Sequence, residues 1–180
     1  MPTAQTASQQ AESVQALAST TGDFIEEHAH QFAVLAQEEE MLSGALHTAA
    51  TMPAARPIAA RAIAGLTDYL YTGGHWRLGQ DLFGLQLALL REIGDRAGEG
   101  ATLNNLGMLA DSLGQKEDAR RYYEQALSIF RAIGAVESVR IVEENLQDLL
   151  VAQEDGDATP GVLPPSSKKP TGWRWPWQRK

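Results

Sequence analysis

The sequence predicts an all-α chain, a solenoid of helical hairpins opened by an N-terminal lead-in helix and closed by a C-terminal capping helix. The first observation behind this is a repeat at forty residues. Ile93-Gly94 returns as Ile133-Gly134, Gly74 as Gly114, Leu82-Phe83 as Tyr122-Tyr123, Leu87 as Leu127 and Arg91 as Arg131. Periods of about 20–50 residues mark arrays in which each unit is one supersecondary element. The second is the spacing of apolar residues by threes and fours, as at Leu103, Leu106, Ala110 and Leu113, which gives a helix one face for burial. The third is the placing of Gly114 and Gly134 where helices must stop, because a left-handed residue costs little without a Cβ.

Residues 1–22 are rich in Gln, Ala, Ser and Thr, with Val14 and Leu17 as spaced apolar anchors. They are expected to form a flexible segment holding at most a short helix near 11–19. Asp23 and Glu26 have the spacing of a capping box, so the folded domain is expected to span 23–153. Its first helix carries the stripe Ile25, Phe32, Leu35, Leu42, Leu46 and Ala49. The run Glu38-Glu39-Glu40 fits either the solvated side of that helix or a break in it. Pro53 and Pro57 end this region, and Pro57 suits the first turn of the next helix.

Helix pairs are then expected at 57–72 with 76–93 and at 98–113 with 116–132, giving repeats of about 58–97 and 98–137. Small residues at Gly107, Ala119 and Ala126 let the second pair approach closely, with Tyr123 and Leu127 filling the space between. A capping helix at about 136–152 closes the stack, since each unit buries its apolar face only against a neighbour.

The stretch Leu103-Asn104-Asn105-Leu106-Gly107, then Leu113-Gly114, Ala119, Tyr122-Tyr123 and Ala126-Leu127, resembles a tetratricopeptide repeat. The preceding unit keeps Ile63, Leu66, Leu70, Gly74, Phe83 and Leu87. It departs at Thr67, Gly79 and Gln86, which predicts looser packing there, and Arg91 and Arg131 replace the family's proline late in the second helix. The forty-residue period exceeds the family's usual length of about 34. Residues 23–150 further resemble the sensor region of bacterial STAND-type regulators, through Phe24 to Ala29, Tyr71 to Trp76 and Glu92 to Arg96. The chain lacks the G-x-x-x-x-G-K-[ST] phosphate loop, so no nucleotide switch follows from that likeness.

The resemblance implies a concave groove lined by the first helices of the units. Its positions are Arg61, Asp68 and Tyr71, then Asn104, Asn105, Met108 and Asp111, then Glu144, Asn145 and Asp148. Members of the family that clamp a peptide carboxylate use Lys and Arg at such positions, and Arg61 alone fits. The acidic, amide-rich set suits an extended basic segment of a protein or peptide instead. The opposing reading is that these residues are a solvated face and that Asn105 bonds a neighbouring helix. The expected role is thus a protein-binding module, an adaptor or sensor scaffold of bacterial signalling.

Charge divides the chain. All 23 acidic residues fall at or before Asp157, while Lys168, Lys169, Arg174, Arg179 and Lys180 place five positive charges beyond it. Residues 154–180 read as a disordered, proline-rich linker ending in Trp173-Arg174-Trp175-Pro176-Trp177. The motif Trp173, Arg174, Trp175, Trp177, Arg179 and Lys180 suits a protein partner, self-docking into the acidic groove, or an anionic membrane surface. The last would make the protein a membrane-recruited scaffold, the alternative to the groove reading. With so few repeats, self-association through the tail or an exposed repeat end is also expected.

Several classes are disfavoured. An acidic body repels phosphate, leaving nucleic acid at most salt-sensitive contact with the tail. His28 and His30 lie two apart, and His47 has no partner at ligand spacing, so no metal site is expected. His75, beside Trp76 at a turn, suits packing or capping. No nucleophile stands with a base, so neither catalysis nor a cofactor is expected. No cysteine is present, which fits the cytoplasm. The first residues lack the pattern of a secretory signal.

Overall fold

Four glycines set the rhythm of the structure. Gly74, Gly94, Gly114 and Gly134 fall twenty residues apart and take left-handed φ angles of 74°, 76°, 72° and 71°. Three of these turns repeat one hydrogen-bond pattern. Asp95 N–H reaches Leu90 O at 3.0 Å, Gln115 N–H reaches Ala110 O at 2.8 Å, and Ala135 N–H reaches Phe130 O at 2.9 Å. The glycine N–H bonds three residues back in each case, to Arg91, Asp111 and Arg131. This six-to-one and five-to-two pairing satisfies carbonyls that a helix end leaves open, and the left-handed residue it needs is glycine at every turn.

The computed structural model describes residues 4–154, with side chains over 8–151. The helices are α1 (Ala4–His28), α2 (Phe32–Gln37), α3 (Glu39–Ala50), α4 (Arg56–Gly65), α5 (Thr67–Thr72), α6 (Trp76–Ile93), α7 (Arg96–Ser112), α8 (Lys116–Ala132) and α9 (Val136–Glu154), with a short 3₁₀ turn at Pro53–Ala55. Strands are absent among the described residues. Helices α6 to α9 pack in sequence order, and α1 covers the other end against α3 and α4.

The N-terminal half differs from expectation. One helix of 25 residues runs from Ala4 through Asp23, so no helix begins at a capping box there. Ala18 and Thr21 are buried on it with Ile25, which means that the Gln- and Ser-rich stretch has an apolar stripe of small residues. The helix expected from Asp23 onward is three helices, with Glu38 at the break between α2 and α3. The expected pairing helix 57–72 is also interrupted at Leu66. Thr67 Oγ1 donates to Ala64 O at 2.9 Å, and Leu66 N–H turns to Ile63 O in 3₁₀ fashion.

Close approaches hold the repeats together. A Cβ on Gly107 of α7 would lie 2.5 Å from Tyr123 Cε1 of α8, and one on Gly100 would lie 2.9 Å from Phe130. Only glycine lets the aromatic rings lie on the helix backbone at these points. The first repeat is tied by a polar link where looser packing was expected. Gln86 is 2% exposed. Its Nε2 donates to Ala60 O of α4 at 2.8 Å, and its Oε1 accepts from Thr102 of α7 at 3.0 Å. Gln86 therefore joins three helices with its amide satisfied, as burial of a polar group requires.

The last described helix, α9, differs from α7 at matching positions of the forty-residue register. Where α7 presents Gly100 and Gly107 to α8, α9 carries Arg140 and Gln147, with Glu143 between them. Arg140 pairs with Glu137 and Glu144, and Arg131 of α8 reaches Glu143 at 2.7 Å. A charged outer face does not accept another helix, so α9 caps the stack while Val142 and Leu149 fill its inner side.

Candidate functional site

The face shared by α5, α7 and α9 holds most of the expected groove residues. On α7, Asn104, Met108 and Asp111 follow at i, i+4 and i+7 and so lie on one side. Asn145 and Asp148 do the same on α9 at i and i+3, and Asp68 and Tyr71 on α5.

Tyr123 marks where the three helices converge. It rises from α8, is 2% exposed, and has its phenol pKa pushed well above the ordinary range. Burial is the main cause, followed by Asp111, Tyr71 and Asp148. In the geometry, Asn145 of α9 bonds Asn104 of α7 at 2.9 Å, and a Cβ on Gly79 of α6 would lie 3.1 Å from Leu109 of α7 and 3.7 Å from Leu70 of α5, so the three helices are neighbours. The sequence assigned Tyr123 to packing alone. A tyrosine at a buried position signals more, since its hydroxyl seeks a polar surrounding that phenylalanine would not need.

The charges at this convergence are uneven. Lys116 Nζ lies 2.5 Å from Asp111, an ion pair that the sequence reading missed. Asp68 and Asp148 are exposed and have no ion-pair partner among the described residues. Met108 and Tyr71 are half-buried and add apolar and aromatic surface.

The remaining expected positions divide. Asn104 is 1% exposed, accepts from Asn145 Nδ2 at 2.9 Å and places its own Nδ2 3.5 Å from Met108 Sδ. The interhelical bond that the opposing reading gave to Asn105 is made by Asn104, which links α7 to α9 and is not an open amide. Asn105 Nδ2 is buried without a partner. Arg61 lies 3.3 Å from Glu26 of α1 and so is engaged at the α1–α4 surface, apart from the convergence. Glu144 pairs with Arg140 along α9.

A second cluster lies near the turn before α6. Tyr69 is buried, stacks on His75 at 4.1 Å and donates its hydroxyl to Glu39 at 2.9 Å. His75 Nδ1 stands 3.2 Å from the same carboxylate, and Phe32 meets the Tyr69 ring edge-on. His75 thus packs as the sequence predicts, and its side chain makes no capping bond to α6. The cluster ties α3 to α5, with Tyr69 buried and the His75 and Glu39 side chains partly exposed.

Among the described residues, no group of three or more His, Cys, Asp or Glu side chains could hold a metal ion. No described helix is long and apolar enough to cross a membrane. Trp173, Arg174, Trp175, Trp177, Arg179 and Lys180 lie outside the described residues, as does the membrane-recruitment reading built on them. No curated protein and no solved structure matches the chain. Residues 68–132, from α5 to the end of α8, match the tetratricopeptide repeat family. That match and the helical hairpins together identify the fold as an all-α, tetratricopeptide-like helical solenoid, of a kind that generally mediates protein–protein interaction.

Proposed function

We propose that the face of α5, α7 and α9 binds an extended basic segment of a protein partner, so that the chain works as an adaptor or sensor scaffold. The observation that carries this is the juxtaposition of the three helices, with Asn145 of α9 bonded to Asn104 of α7 at 2.9 Å and with Leu109 of α7 and Leu70 of α5 both against Gly79, which leaves Asp68 and Asp148 exposed on α5 and α9. These are three successive first helices, which is the layout a peptide laid across an array would meet. Asp68 and Asp148 supply charge for Lys or Arg, while Met108 and Tyr71 supply apolar contact. Lys116 already neutralises Asp111, so that carboxylate orients the surface more than it attracts a cation. The likeness of residues 23–150 to sensor regions of STAND-type regulators supports placing the module in bacterial signalling, in the cytoplasm.

The test is fluorescence anisotropy of a labelled peptide of alternating Lys and Ala against the full chain and its Asp68→Lys/Asp148→Lys variant. Two exposed charge pairs at about 0.2–1 kcal/mol each predict a loss of roughly tenfold in affinity, and more at low salt. Equal affinity for both proteins would reject the reading.

A further inference from the structure

The occupant of this face is the second question, and the chain's own charge distribution bears on it. The face has Asp68 and Asp148 exposed, and Tyr71, Met108 and Asp111 are partly exposed beside them. Positive charge beyond Asp157 is concentrated in Lys168, Lys169, Arg174, Arg179 and Lys180, with Trp173, Trp175 and Trp177 among them.

The place where the described chain ends narrows the choice. Asp148 precedes Glu154, the last residue of α9, by under two turns, or about 9 Å of helix. The chain therefore leaves α9 at the end that carries Asp148, as Tyr71 and Asp111 stand in the last turns of α5 and α7. Three helices side by side at about 8–10 Å make a face on the order of 20 Å across. Roughly 20 residues separate Glu154 from Trp173. A chain of that length spans about 25 Å as a random coil and at most about 65 Å when extended. Trp173 is within reach of every part of the face.

The outer face of α9 is a poor competitor. Arg131 and Arg140 stand there among Glu137, Glu143 and Glu144 in ion pairs already made, and they would oppose a cationic segment. Tryptophan and arginine are the side chains that carry interfaces when a few anchors dominate.

We propose that residues 173–180 of the same chain dock on the α5–α7–α9 face as an intramolecular ligand that a basic partner segment must displace. This rests on the groove reading above and adds to it the regulation of that site. Covalent tethering keeps the segment at a high effective concentration, so even weak contacts hold it in place.

The test places one nitroxide at Gln178→Cys in the full chain, which has no cysteine of its own. Amide signals of Tyr71, Met108, Asp111 and Asp148 should broaden, and the broadening should persist in an excess of unlabelled protein. Charge reversal by Asp68→Lys with Asp148→Lys should remove most of it. Absent broadening, broadening on another face, or broadening lost on dilution with unlabelled chain would overturn the proposal, the last by assigning the contact to a second copy. Immobilisation of the label by phosphatidylserine vesicles with no effect on these amides would overturn it in favour of a membrane.

A full-length variant with Trp173, Trp175 and Trp177 replaced by Ser separates this inference from the reading beneath it. It should bind the Lys–Ala peptide about tenfold more tightly than the parent, because the tethered competitor is gone. Binding at the same amides by both proteins with equal affinity would overturn self-docking and keep the groove. No binding by either would overturn both.

Discussion

Asn145 of α9 donates to Asn104 of α7 at 2.9 Å, across a separation of 41 residues in sequence. The bond lies inside the face proposed to bind peptide, with Asp148 one turn along α9 and Met108 one turn along α7. It fixes the terminal helix against the last complete hairpin and so sets the spacing of the side chains around it.

Asn145→Ala would strand a buried carbonyl oxygen on Asn104. The expected cost is about 1–3 kcal/mol in urea unfolding, with faster amide exchange along α9. Replacing both residues by Leu should recover much of that loss, because neither polar group is then left unpaired. A double variant as unstable as the single one would show that the bond contributes little beyond packing.

Glycine substitutions should separate contact from conformation. Gly107→Ala pushes a methyl into the Tyr123 ring and should cost about 1–3 kcal/mol as overpacking. Gly84→Ala on α6 meets no atom within 4 Å and should stabilise by roughly 0.5–1 kcal/mol through helix propensity. Thermal melts of the two variants should therefore move in opposite directions.

Gly114→Val tests the turn between α7 and α8. At φ +72° a β-branched residue is strained whatever space surrounds it, and the loss should be at least about 1–2 kcal/mol. A melting temperature equal to the parent's would contradict the left-handed turn.

Alkaline pH should weaken the fold through Tyr69 and Tyr123. Burial raises both phenols above their unfolded value of about 10, with Glu39 adding to the effect at Tyr69 and Asp111 adding to it at Tyr123. The folded chain then keeps protons that the unfolded chain releases, so the contribution is whole below about pH 10 and falls as pH rises beyond it. Urea midpoints of the parent should drop more between pH 8 and 10.5 than those of Tyr69→Phe or Tyr123→Phe. Parallel slopes would reject this assignment.

Elements written in short-range periodicity were legible before the structure. Gly114 and Gly134 announce their turns because no other residue takes that backbone cheaply, and Gly107 opposite Tyr123 follows from a small residue facing a large one. The extent of α1 was not legible, since Ala18 and Thr21 become its buried stripe only when α3 and α4 lie against them. The break at Leu66 depends on one threonine hydroxyl bonding backwards, a choice that tertiary packing makes. At the candidate site, the charges could be read from the sequence but their partners could not. Lys116 beside Asp111, Arg61 beside Glu26 and Asn104 beside Asn145 are pairings of the folded chain.

The most direct test of the binding surface is amide chemical-shift mapping of the full chain, with the three tail tryptophans replaced by Ser, during titration with the Lys–Ala peptide. Shifts should centre on Tyr71, Met108, Asp111 and Asp148 and be absent with an equally long Glu–Ala peptide. Shifts confined to α1 or to the Arg140 face of α9, or equal responses to both peptides, would contradict the proposed surface.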